Sequence, residues 1–146
     1  MEKKDLKPAG VFKYFEEICQ VPRPSKKEEK MIAYLKAFGA KHNLETKVDE
    51  AGNVLIKKPA TPGKENLQTV VLQSHIDMVC EKNNDVQHDF LTDPIETEID
   101  GEWLKAKGTT LGADNGIGVA TELAILADDS IEHGPLECLF TVDEET

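Results

Sequence analysis

Apolar residues recur at helical spacing from Gly10 to Cys19, where Val11, Phe12, Phe15, Ile18 and Cys19 form one stripe. The segment Val21-Pro22-Arg23-Pro24 then stops that helix. Ser25 and Glu28 have the spacing of a capping box, and Met31, Ile32, Leu35 and Phe38 supply the buried stripe of a second helix ending between Gly39 and Asn43. The period then changes. Leu44 to Val48 and Val54 to Lys57 predict two strands joined by Asp49-Glu50-Ala51-Gly52-Asn53, whose Gly and Asn tolerate positive φ. Past the loop Pro59 to Asn66, the run Thr69-Val70-Val71-Leu72 is apolar on both alternations, which predicts a central strand covered on both faces. Ile95 to Ile99 and Glu102 to Lys105 flank Asp100-Gly101, a dipeptide suited to a hairpin turn. Ile117, Ala120, Leu123, Ala124 and Leu126 give a third helical stripe between Asn115 and Ala127, so Asp114 stands just before a helix. After the Gly134-Pro135 break, Leu136 to Val142 reads as a short apolar strand that ends at Asp143.

Strands alternating with helices predict an α/β fold, a mixed β-sheet flanked by helices, and a chain of 146 residues is enough for one such domain. In sheets of this kind ligands bind beyond the carboxyl ends of strands, and His75 and Glu144 would both stand there.

The charge balance narrows the partners. With 28 acidic against 17 basic residues, the net charge of -11 repels phosphate backbones and anionic lipid surfaces, so neither nucleic acid nor membrane is an expected partner. The same excess leaves room for bound divalent cations, which are often the largest local charges in a site. No apolar run approaches the roughly 18 residues of a membrane span, and the N-terminus shows no signal segment. Cys19, Cys80 and Cys138 form no Cys-x-x-Cys pair, which points to a reduced, cytoplasmic setting.

Three acidic motifs carry the candidate chemistry. In Ser74-His75-Ile76-Asp77, residues i and i+2 of a strand point the same way, so Asp77 can orient a metal-bound His75; alternatively both are polar caps of a strand end. In Gly112-Ala113-Asp114-Asn115-Gly116, the Asp114 carboxylate can bridge two cations about 3.5 to 4 Å apart, or simply cap the following helix. In Asp143-Glu144-Glu145-Thr146, neighbouring carboxylates diverge, so one can bind metal while the other takes a proton from water; exposed acidic pairs are also found merely solvated. Hard carboxylate oxygens with one imidazole suit zinc or a similar divalent ion. An apolar strand ending in an acidic pair also occurs in ATPases, but those need a phosphate-binding loop, and here Gly63-Lys64 is followed by Glu65.

Taken with their flanking strings, these motifs resemble the M20 metallopeptidases, and within them the aminoacyl-histidine (Xaa-His) dipeptidase branch. The resemblance rests on Val11-Phe12 through Val21-Pro22-Arg23-Pro24-Ser25, on Asp49 to Asn53-Val54, and on Leu72 through Val79. It continues through Thr109-Thr110-Leu111-Gly112-Ala113-Asp114-Asn115-Gly116-Ile117-Gly118 and Asp143 to Thr146. It implies that His75 binds one metal, that Asp77 orients it, that Asp114 bridges both metals, that Glu144 is the general base and that Glu145 binds the second metal. It also implies a cis peptide between Asp114 and Asn115. The cofactors implied are two divalent ions, zinc first, with cobalt or manganese as alternatives; the substrate is a small peptide, Xaa-His dipeptides among the candidates. Residues 1–146 are then the N-terminal part of a zinc-peptidase-like catalytic domain, lacking a further Asp and His of the site. The lid or dimerisation domain, through which the whole protein would form a homodimer, also lies outside them. Alone, the 146-residue chain is expected to show no peptidase activity and incomplete metal binding. Two rivals share these residues: a relative acting on other acylated amino acids or peptides, and a catalytically silent binding module.

Overall fold

The computed structural model describes all residues from Met1 to Thr146. Helices α1 (Ala9–Cys19) and α2 (Glu29–Lys41) come first, followed by strands β1 (Glu45–Val48), β2 (Val54–Lys58) and β3 (Val70–His75). A separate hairpin of β4 (Thr97–Asp100) and β5 (Trp103–Ala106) precedes helix α3 (Ala113–Ala127) and strand β6 (Leu136–Thr141). The main sheet runs β1-β2-β6-β3: the first two junctions are antiparallel, and β3 lies parallel to β6. This is the expected mixed α/β sheet. No helix is long and apolar enough to cross a membrane.

One face of the sheet carries the core. Val54, Ile56, Cys138, Phe140 and Ser74 lie on it in register, all buried, and the helices contribute Phe15, Ile18, Met31, Leu35, Val119 and Leu123. An edge-on contact between Tyr14 and Phe38, with ring centres 5.7 Å apart, joins α1 to α2. On the opposite face Leu55, Glu137 and Leu139 are half-buried, and Val71 and Gln73 are exposed. Within residues 1–146, β3 has β6 as its one strand neighbour and Val70 and Val71 are open to solvent, so this chain by itself does not supply the covering expected of a central strand at residues 69–72. An apolar run on both alternations describes a strand's faces and is silent about its edges, which here have one neighbour.

Smaller corrections follow from local pairing. Asp100 pairs with Trp103, so the β4–β5 loop is Gly101-Glu102, with Gly101 at φ 62°, one residue later than Asp100-Gly101. Trp103, at the start of β5, is 76% exposed. Ser25 does not cap α2, whose N-cap is Glu28, and the Glu28 side chain accepts from the Lys26 amide instead. His42 and His88 lie in loops, half-buried against Phe38 and Phe90, with ring centres 4.4 Å apart in each pair.

Candidate metal centre

The parallel pairing of β3 with β6 decides where the motifs meet. His75 is registered opposite Thr141, and the Ile76 amide continues the ladder to the Thr141 carbonyl at 2.8 Å, so both strands deliver their following residues to the same end. Asp143 takes a left-handed φ of 56°, which turns the chain so that the successive amides of Glu144 and Glu145 face inward. They donate to the two carboxylate oxygens of Asp77, at 3.2 and 3.0 Å, and the Ser25 hydroxyl donates to the second at 2.6 Å. Asp77 is 0% exposed, and these three donors satisfy it. Burial works to raise its carboxyl, but the Ser25 hydroxyl and the Glu145 and Glu144 amides outweigh it and hold the group below the ordinary carboxylate value.

His75 is also buried, and its two nitrogens have different jobs. Nδ1 lies 3.1 Å from the Asp77 carbonyl and 3.3 Å from Asp77 Oδ1, so it faces two acceptors and carries the ring proton. Nε2 looks outward. Asp114 Oδ1 stands 2.9 Å from it, and Glu144 Oε2 and Glu145 Oε1 each stand 3.8 Å away. A neutral ring with its proton on Nδ1 would aim a lone pair at a carboxylate oxygen 2.9 Å off, and only a positive charge between them makes that contact favourable. A proton can fill the gap. Burial works to lower the imidazole's affinity for it, but the hydrogen bond to Asp114 and the carbonyl and charge of Asp77 and Glu144 outweigh that, leaving His75 above its ordinary value. A divalent cation fills the same gap with more charge. Ligand atoms of His75, Asp114 and Glu145 all lie within 4.8 Å of one another, a compass that suits one ion.

The ends of other elements frame this cluster. Asp114 and Asn115 precede the regular part of α3, have non-helical angles and are joined by a cis peptide, as the resemblance implied. The Asn115 side chain accepts from the Gly118 amide at 3.1 Å, and a β-carbon at Gly118 would come 2.2 Å from it. The Asp49–Asn53 turn braces the opposite side: Asp49 accepts the amides of Ala51, Gly52 and Asn53, and Asn53 Oδ1 accepts the Val142 amide at 3.0 Å. The structure thus brings together all five sequence candidates: His75 and Asp77 form a buried base, and Asp114, Glu144 and Glu145 an open rim. Cys80 stays outside, its thiol directed at the Met78 carbonyl. Sequence reasoning missed Ser25 as part of this centre, having read it as a helix cap.

No family model matches the chain. A cytosol non-specific dipeptidase from Escherichia coli is 52% identical over 99% of the chain, and an aminoacylhistidine dipeptidase structure from Vibrio alginolyticus superposes on all of it at 54% identity and a TM-score of 0.96. The resemblance to the M20 dipeptidases holds over the whole chain. These dipeptidases are much longer, and the chain spans about 30% of the length of each. More distantly, an aminopeptidase PepT structure from Bacillus cereus shares the fold at a TM-score of 0.76 and 24% identity, covering 94% of the chain.

Proposed function

We propose that the protein carrying this chain is a dipeptidase that cleaves unblocked dipeptides, Xaa-His among them, with two divalent ions bound at the rim of the His75 site. The observation that carries this reading is the convergence of Asp114, Glu144 and Glu145 on the outward nitrogen of His75, in a chain with two relatives above 50% identity that are dipeptidases by name. His75, Asp114 and Glu145 would hold the ions, Asp114 being shared between the two; hard oxygens with one imidazole would favour zinc, and cobalt or manganese would also fit. When bound, such ions lower the pKa of water and polarise the scissile carbonyl.

The chain's own residues divide the remaining work. Asp77 fixes the tautomer and orientation of His75, so that Nε2 is the nitrogen offered outward. Glu144 has its amide pinned to Asp77, while its side chain is 57% exposed at the rim, where it can reach both water and a peptide. It takes a proton from the attacking water and passes it to the leaving amine. The side chain of Glu145 is 22% exposed and lies deeper than that of Glu144. The unpaired state of Cys19, Cys80 and Cys138 supports a cytoplasmic location.

The test is Glu144→Ala in the full-length protein. Metal content should stay at the wild-type level while kcat falls by about 10²- to 10⁴-fold, the range of a general base. Turnover near wild type would refute the assignment.

A further inference from the structure

Between the two loops that carry His75-Asp77 and Asp114 sits a buried cation that the chemistry above does not use. Arg23 is 2% exposed, and its acceptors are main-chain carbonyls. One guanidinium nitrogen donates to the Ile76 carbonyl at 3.0 Å, with the Asp77 carbonyl at 3.5 Å; the other donates to the Gly112 carbonyl at 2.7 Å. Gly112 is the N-cap of α3, and its carbonyl also accepts the Gly116 amide at 3.0 Å, so the arginine grips the turn from which Asp114 projects. The main chain of Arg23 is tied to the same place, its carbonyl accepting the Met78 amide at 3.1 Å. Room for the guanidinium is made by two glycines: a β-carbon at either Gly112 or Gly116 would stand 2.6 Å from its Nη2. Thr110 links the two loops again further out, through the Val79 and Glu81 carbonyls.

We propose that Arg23 is a positioning residue of the metal centre, a two-armed clamp that holds the Asp114 loop against the His75–Asp77 turn before any ion arrives. A planar guanidinium suits this role because it offers parallel donors at fixed angles and keeps its charge when buried; a lysine ammonium is a single point on a flexible stem. The clamp rests on the metal-site reading for its purpose but not for its geometry.

The experiment uses the full-length protein and two variants, Arg23→Gln and Arg23→Lys, each at a temperature where circular dichroism shows it folded. Amide hydrogen exchange of the metal-free protein should speed up by about tenfold or more at Met78 and Gly116 in both variants, while the β1–β2 hairpin keeps wild-type rates. Zinc affinity, measured by competition with a chromophoric chelator, should fall by about 10- to 100-fold, the usual cost of removing a residue that supports metal ligands. A residue that serves stability alone would lower the melting temperature and leave the affinity of the folded protein unchanged. Unchanged exchange at both amides, or zinc affinity within about twofold of wild type, would overturn the proposal. Should wild-type protein bind no zinc, the functional reading falls, and the exchange rates alone decide the clamp. If Arg23→Gln does not fold, Arg23→Lys carries the comparison.

Discussion

Glu122 lies on the face of α3 that packs against β3, only 4% exposed, with the Ser74 hydroxyl and the Cys138 thiol beside its carboxyl. One of its oxygens and the Ser74 hydroxyl make no well-formed hydrogen bond. Burial, countered only in part by those two neighbours, lifts the carboxyl from 4.5 to about 7. The native state therefore keeps a proton that the unfolded chain releases near 4.5. The stability this confers is fully present below about pH 4.5 and is lost as the pH rises toward about 7. At about 1.4 kcal/mol per pH unit, the whole loss comes to about 3 kcal/mol, most of it between about pH 5 and 8. Glu122→Gln removes the titration while keeping nearly the shape of the protonated acid. Urea unfolding of both proteins across this range should show wild type losing about 2 to 3 kcal/mol relative to the glutamine variant as the pH rises. His75, also raised, loses stability in the same direction, but it is common to both proteins and cancels in the difference. A difference flat to within about 0.5 kcal/mol would refute the reasoning, as would a carboxyl-carbon titration of Glu122 with its midpoint below about 5.

Two further expectations concern the scaffold. Ser25→Ala removes one of three donors from a fully buried carboxylate and should cost about 1.5 to 3 kcal/mol by urea unfolding. Because Asp77 is held low, its contribution is present above about 3.8 and lost on acidification, so the same variant should unfold at a higher pH in an acid titration. Gly116→Ala would press a β-carbon to 2.6 Å from Arg23 and 3.2 Å from Phe15 and should destabilise by about 1 to 3 kcal/mol. Gly10→Ala in α1 meets only Ala124, at 3.6 Å, and should raise the melting temperature slightly, worth up to about 1 kcal/mol.

How far the sequence was legible depended on whether a residue's partners are near it in the chain. Helix α1, the β1–β2 hairpin and the start of α3 were read nearly to the residue, because their signals are periodicity and local turn chemistry. The stripe of α3 was read in part, with Ala120, Leu123 and Leu126 buried as expected. Hydropathy puts Ile117 in the buried stripe and ignores Glu122, yet Ile117 is 39% exposed and Glu122 is buried between Val119 and Leu126 at i+3 and i+7 spacing. A carboxylate on the inner spacing of an apolar helix was the available signal. Arg23 was harder: its acceptors lie 53 and 89 residues away, and nothing in Pro22-Arg23-Pro24 announces them. The glycines at 112 and 116 leave room at the start of α3 for the chain's own arginine.

The carboxylates around His75 fall into two kinds by how their charge is met, and this division matches the roles proposed for them. Asp77 receives a hydroxyl and two amides, so it is content without any cation, and its burial is repaid by hydrogen bonds. The carboxylates of Asp114, Glu144 and Glu145 receive no amide or hydroxyl; the imidazole is the nearest positive partner for all three. One imidazolium cannot balance three negative groups gathered within 3.8 Å of one nitrogen, and their mutual repulsion has to be met by solvent or by further positive charge. On the function proposed above, divalent ions would meet it at the rim. Arg23, the other nearby cation, is directed away from these oxygens onto main-chain carbonyls, so it can brace the loops without neutralising the carboxylates that a metal needs.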